Sequence, residues 1–304
     1  MVRPPGGPMK IAVFIAAMLV PFAASAAAMD ATQWRAQPSG GHDTYSVGGL
    51  SLTFKTWKFH DSEAAPVLTI RAKGMEAFVF RGQKSLLPAS AYFTVERVDP
   101  RAPYPQVLLS TFTGGAHCCS EFVLIESGGT QWKAIRLGLW DGDGLVKRPV
   151  DVDGDGIVDL EFADNRFLYA FAGYAGSSPP PRLFNVIGGK VADVSAYPRY
   201  RRFFERDMEE VKAGCAQHLN GPCAAYVADA ARLHRLGEAW TFMLANYDKT
   251  DTWELQPRCR KPGERLPCRS GRREPKDYPE GLRWYLEDIG YIRTATGKKW
   301  HSVH

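Results

Sequence analysis

Between residues 45 and 197 the chain is a succession of short segments rich in β-branched and aromatic residues, separated by glycine, proline and aspartate. The clearest of these segments are residues 50–54, 67–70, 78–80, 92–95, 107–109, 122–125 and 158–162. Apolar runs of this length, bounded by turn residues, are typical of strands joined by tight turns. This spacing constrains the fold more than any other feature, and it predicts a mainly β domain.

The composition changes at Arg199. Phe203 to His218 and Pro222 to Tyr247 are rich in Ala, Leu, Glu and Arg, and Gly281 to Ile289 carries apolar residues at helical spacing. Both patterns predict helices. A loop crowded with Arg, Lys and Pro separates the last two. We therefore expect a β domain over residues 29–198 and a small α-helical domain with a basic loop over residues 199–304.

The N-terminal segment has the layout of a secretory signal. Lys10 precedes an apolar run from Ile11 to Ala24, and small residues follow at Ala26–Ala28. The run is shorter than the ~20 apolar residues that span a bilayer. The sequence predicts a signal peptide over residues 1–28 with cleavage near Ala26–Ala28, and hence a periplasmic or secreted protein with no transmembrane segment after cleavage.

Composition narrows the class of partner. The chain has 304 residues, 45% of them hydrophobic, and a formal net charge of +5. That hydrophobic content favours a folded core over disorder. The mild charge and the predicted export argue against nucleic acid as a partner.

An acidic loop precedes the last β-like segment. Asp151, Asp153, Asp155 and Asp159 occupy positions 1, 3, 5 and 9 of the loop, and Gly156 stands at position 6. Carboxylates so close together repel each other unless a cation neutralises them, and Ca²⁺ takes six to eight oxygen ligands. An EF-hand needs Glu at position 12, where this chain has Phe162. A calcium loop at the entrance of a strand is the better interpretation.

The stretch from Arg148 to Leu160 resembles the calcium loop of FG-GAP and VCBS-type repeats, the blades of integrin-α-like β-propellers. The resemblance covers about 15 residues and a single clear copy. It implies blade-like antiparallel sheets in a partial, propeller-like arrangement. It also implies Ca²⁺ as cofactor, with side-chain ligands from Asp151, Asp153, Asp155 and Asp159 and a carbonyl ligand from Ile157.

The six cysteines are an even number, which favours disulfides in an exported protein. The spacing suggests the local pairs Cys215–Cys223 and Cys259–Cys268, leaving Cys118 and Cys119 together. Two interpretations of the last pair stay open. One is a rigid turn closed by a bridge between neighbours. The other is a redox or metal-handling site formed by His117, Cys118 and Cys119.

The sequence contains no G-x-S-x-G, H-E-x-x-H, phosphate-loop or dinucleotide motif. No catalytic residue is predicted. We expect an exported, calcium-stabilised binding or scaffold protein with a protein or glycan partner. The alternatives are a periplasmic redox or metal-handling protein that uses His117, Cys118 and Cys119, and a hydrolase in which calcium only stiffens the fold.

Overall fold

The computed structural model describes residues 28–293 apart from 38–39, 61, 116–117, 142–147, 262–263 and 265. The predicted signal peptide and His117 lie outside these residues. In the part that is described, no helix is both long enough and apolar enough to cross a membrane.

The strands are β1 (Met29–Arg35), β2 (His42–Val47), β3 (Leu50–His60), β4 (Glu63–Ala72), β5 (Phe78–Arg81), β6 (Ser85–Leu86), β7 (Ser90–Glu96), β8 (Gln106–Phe112), β9 (Ser120–Gly128), β10 (Gln131–Trp140), β11 (Leu160–Ala163), β12 (Pro181–Ile187), β13 (Lys190–Asp193), β14 (Arg258–Cys259) and β15 (Arg272–Arg273). The helices are α1 (Arg201–Ala216), α2 (Asn220–Arg232), α3 (Leu236–Asn246) and α4 (Tyr278–Asp288).

Three antiparallel sheets are stacked in layers. The middle layer has the strand order β1-β7-β8-β9-β10. One outer layer has the order β2-β3-β4-β5, with β6 also paired to β4, and the other has the order β11-β12-β13. The mainly β prediction is confirmed for this part of the chain. A closed ring of blades is not seen among the described residues.

The middle sheet is buried on both faces. Ile125 of β9 belongs to the cluster that also holds Phe54 and Leu68 of the first outer sheet. Its neighbour Leu124 belongs to the cluster with Phe162 and Phe184 of the second outer sheet. Because successive side chains of a strand point to opposite faces, a strand covered on both sides reads as a continuous apolar run.

The helices form a third core against the second outer sheet. Tyr200, Phe204, Met208 and Leu282 pack in one cluster with Leu183 of β12 and with other residues that precede position 199. The predicted helix from Pro222 to Tyr247 is two helices, because the chain turns between α2 and α3 with His234 at φ 59°.

Disulfides join Cys215 to Cys223 and Cys259 to Cys268, the two pairs that the spacing suggests. The first links the end of α1 to the first turn of α2. The second lies in the basic loop, where Arg258 forms ion pairs with Glu287 and Asp288 at the end of α4. The loop is therefore tied to the helical core.

Candidate metal centre

The acidic loop is fixed at both ends by the sheet that follows it. Val150 and Asp159 form an isolated antiparallel bridge, and the Asp159 N–H donates to the Val150 carbonyl at 2.8 Å. β11 begins at the next residue, Leu160, which is buried. The loop thus enters a strand directly, as the sequence predicts.

Inside the loop, the Asp151 carboxylate organises the backbone. Its Oδ1 accepts N–H groups from Gly154 (2.7 Å) and Asp155 (3.2 Å), and its Oδ2 accepts the N–H of Gly156 (2.9 Å). Gly156 has φ +84°, a region that residues with a side chain rarely adopt. Glycine at position 6 therefore allows the turn that closes the loop around Asp151.

Three of the four predicted carboxylate ligands converge. One carboxylate oxygen from each of Asp151, Asp153 and Asp159 lies within 4.8 Å of the other two. Asp155 is outside this group: its Oδ1 accepts the Ile157 N–H and its Oδ2 lies 3.3 Å from Nη1 of Arg199.

Arg199 is an internal cation beside the loop. Its Nε lies 2.6 Å from Oδ2 of Asp153, a side chain only 3% exposed. That oxygen is buried and has no hydrogen-bond donor in the described structure, so the ion pair is its only compensation there. Arg199 precedes α1, which places the start of the helical region against the acidic loop.

Asp159 is the buried anchor of the site, with 1% of its surface exposed. Its Oδ1 accepts hydrogen bonds from Nδ2 of Asn185 (2.6 Å) and from the Tyr200 hydroxyl (2.5 Å), and its Oδ2 accepts the Val152 N–H (2.9 Å). Burial and the bond to Asp159 raise the pKa of Tyr200, which keeps its hydroxyl a donor. The loop, β12 and the helical region therefore meet at one carboxylate.

The carboxyl groups of the loop respond differently to their surroundings. Burial raises the pKa of Asp153, and the neighbouring Asp155 and Asp159 carboxylates add to this rise. Burial also acts to raise the pKa of Asp151, but the donated N–H groups of Gly156, Gly154 and Asp155 outweigh it and lower the pKa. A cation beside Asp153 would therefore stabilise its charged form.

A pocket of about 320 Å³ adjoins the loop. Its lining includes the stacked rings of Trp140 and Phe162 and the carboxyl groups of Asp159, Glu161 and Asp207. Asp164 and Glu121 form ion pairs with different arginines, Arg166 and Arg136 respectively.

Cys118 and Cys119 are joined by a disulfide across a cis peptide bond. The Thr113 hydroxyl donates to the Cys119 carbonyl at 2.7 Å, and a Cβ at Gly115 would collide with the Cys118 carbonyl oxygen. Both sulfur atoms are used in the bond, so metal binding through thiolates requires prior reduction.

Comparison with known proteins places the chain among its relatives. A family model described as the sll0997 C-terminal domain matches residues 200–290. The probable thylakoid lumen protein sll0997 of Synechocystis sp. is 34% identical over 255 residues, which cover 80% of this chain and 73% of that protein. The chain belongs to the sll0997 family.

A second member, the uncharacterized protein y4bJ of Sinorhizobium fredii, is 30% identical over 265 residues. The match covers 84% of this chain but 41% of y4bJ, so the chain spans less than half of that relative. No solved structure matches the chain. The sll0997 family match covers α1 to α4 and includes Tyr200, whose hydroxyl donates to Asp159 of the acidic loop.

Sequence reasoning found the loop but missed its partners. Asn185 and Tyr200 lie 26 and 41 positions from Asp159. No short motif joins residues at such distances. The sequence does place an arginine and a tyrosine, Arg199 and Tyr200, where the composition changes. Their contact with the loop can be recognised only once the fold is known.

Proposed function

We propose that this chain is an exported binding protein whose β layers and helical region are held together by a calcium ion in the acidic loop. The observation that carries the proposal is the convergence of Asp151, Asp153 and Asp159 within 4.8 Å. The donors are all carboxylate oxygens, which suit a hard cation such as Ca²⁺.

The residues present fit such an ion. The Oδ2 atoms of Asp151 and Asp159 each accept one hydrogen bond, so each keeps a lone pair for a metal ion. Oδ2 of Asp153 is buried without a hydrogen-bond donor in the described region. By the resemblance to FG-GAP and VCBS-type loops, Asp155 and the Ile157 carbonyl complete the ligand set. The ion would supply positive charge that cancels the repulsion among these carboxylates.

Two observations support export of the protein. The predicted signal peptide indicates export, and a relative that is 34% identical is named a probable thylakoid lumen protein. A binding role fits the pocket beside the loop, which is lined both by carboxylates and by the Trp140–Phe162 ring pair. Aromatic faces and carboxylates in one cleft suit a protein side chain or a sugar as ligand.

Metal content tests the calcium site directly. The purified protein, dialysed against micromolar calcium and analysed by plasma mass spectrometry, should retain one calcium per chain. Asp153→Asn should lose it, because the amide removes the charge at the carboxylate whose buried Oδ2 has no hydrogen-bond donor in the described structure. Glu238→Gln is the control, since the Glu238 side chain is 58% exposed and forms its ion pair with Arg235, away from the loop in sequence. Equal calcium in both variants, or none in the wild type, would contradict the proposal.

A further inference from the structure

The outer face of the β2-β3-β4-β5 sheet exposes large apolar side chains that the proposed calcium site does not use. Trp57 is 45% exposed, Phe59 39%, Val79 62% and Leu86 68%. Scattered single apolar residues on a surface are ordinary, but clustered ones mark interaction sites.

The strand register places Trp57 and Val79 on the same face. Trp57 pairs with Ala65 in β4, and Val79 pairs with Thr69 two alternations further along the same strand. Leu68 and Ile70, which flank Thr69 in β4, belong to the core cluster. Because side chains alternate along a strand, Trp57 and Val79 both point away from the core.

Basic side chains interleave with these apolar ones. The Arg81 guanidinium lies 4.0 Å from the ring centre of Trp57, and the Lys84 ammonium lies 5.7 Å from that of Phe59. Lys55 pairs with Val67 opposite Arg81, so it also stands on the outer face. We define the outer patch as Trp57, Phe59, Val79, Arg81, Lys84 and Leu86.

The outward positions of the sheet carry a positive charge. In β3, β4 and β5 they include Lys55, Arg71 and Arg81, and the acidic residue that borders them, Glu63, is ion-paired with Lys84 at 2.8 Å. The patch therefore combines exposed aliphatic and aromatic groups with fixed cations.

We propose that the outer patch docks the protein onto an anionic lipid bilayer. Tryptophan favours the headgroup level of a membrane, because its ring is amphipathic. Insertion of Leu86 and Val79 at the boundary of the acyl chains removes their apolar surface from water. The long side chains of Arg81 and Lys84 keep their charges among the lipid phosphates. Aliphatic side chains as exposed as these have no role in sugar stacking, which favours a lipid surface over an acidic glycan.

Sedimentation with vesicles tests this proposal. The purified protein should co-sediment with vesicles that contain 30% phosphatidylglycerol in phosphatidylcholine. Its partition coefficient for vesicles of phosphatidylcholine alone should be at least about tenfold lower. Binding should weaken as salt rises, because the attraction between exposed charges is screened.

A double variant and a matched control separate the patch from a general effect. Trp57→Ala combined with Leu86→Ser should lower the partition coefficient at least about tenfold. Trp253→Ala should leave it unchanged, because Trp253 is 38% exposed but lies beside Tyr169, in a different part of the fold. Melting curves confirm that both variants fold.

Three results would overturn the proposal. They are absence of binding to the anionic vesicles, equal binding to neutral ones, and equal loss in the double variant and the control. Retention on a heparin column without vesicle binding would assign the patch to an acidic glycan instead.

Discussion

At the scale of single residues, we expect the buried Asp229 carboxyl group to keep a proton that it shares with Asp207. Oδ2 of Asp207 on α1 and Oδ2 of Asp229 on α2 are both buried without a donor in the described structure. Burial and the neighbouring Asp207 raise the pKa of Asp229, which favours its protonated form. A proton on Asp229 supplies the donor that the two buried oxygens lack.

The surroundings favour this protonated form. Burial raises the pKa of Asp229 well above its usual value, and the bond to Asp207 adds to the rise. Arg232, whose Nη1 lies 3.0 Å from Oδ1 of Asp229, opposes it. Arg232 also donates to the Tyr291 hydroxyl at 2.6 Å, and Tyr291 donates to Asp164, so its charge is shared with another carboxylate.

The raised pKa of Asp229 predicts a loss of stability with rising pH. Below the usual value near 3.8 the carboxyl is protonated in both states, and its contribution is complete. Above that value unfolding releases the proton, so the free energy of unfolding falls by up to about 1.4 kcal/mol per pH unit until the raised pKa is passed.

Asp229→Asn should remove this slope, because the amide donates permanently to Asp207. Chemical denaturation at several pH values above 4 measures it. Glu238→Gln, which changes an exposed carboxylate paired with Arg235, is the control and should keep the wild-type slope. The same slope in Asp229→Asn and in the wild type would refute the shared proton.

At the scale of elements, the Cys215–Cys223 disulfide clips α1 to α2 across a short turn. Closing a loop of about nine residues is worth roughly 2–3 kcal/mol through the unfolded state. Cys215→Ala combined with Cys223→Ala should therefore lower the free energy of unfolding by that amount, measured in urea. A cost below about 0.5 kcal/mol would mean that packing alone holds the helix pair.

The elements also show what the sequence could and could not predict. The short apolar runs predicted the strands because each run carries its own turn signals. The break between α2 and α3 was missed, because no glycine or proline marks it and His234 adopts the left-handed region. The strand order was not predictable, since pairings such as β1 with β7 depend on contacts far apart in sequence.

The candidate site divides in the same way. The carboxylates at positions 1, 3 and 9 of the loop are local, and one pattern revealed all of them. Asn185, Arg199 and Tyr200 reach the loop only through the packing of β12 and the helical region against it.

At the scale of the whole molecule, the middle sheet carries two cores. Leu124 and Ile125 are neighbours in β9, both fully buried, and belong to opposite cores. In a two-layer sandwich one of two such neighbours faces solvent. Here Leu124→Ala and Ile125→Ala should each cost about 2–5 kcal/mol of stability. Denaturant unfolding measures both, and a cost under about 1 kcal/mol for either would contradict the three-layer arrangement.

Calcium should stabilise the whole molecule, because the loop joins the β layers to the helical region at Asp159. An ion that binds only the folded state adds about 2.7 kcal/mol at a concentration 100-fold above its Kd. For a chain of this size that corresponds to a rise in Tm of roughly 5 °C. Arg199 offsets part of the repulsion without metal, so the calcium-free protein should still fold.

The most direct test is the Tm of the wild-type protein in saturating calcium and in excess chelator. We expect the chelator to lower the Tm by roughly 5 °C. The same comparison in Asp153→Ala and in Asp155→Ala should show no difference between the two conditions. An identical wild-type Tm in calcium and in chelator, with no bound ion, would mean that the loop is an acidic turn and that calcium does not hold this fold together.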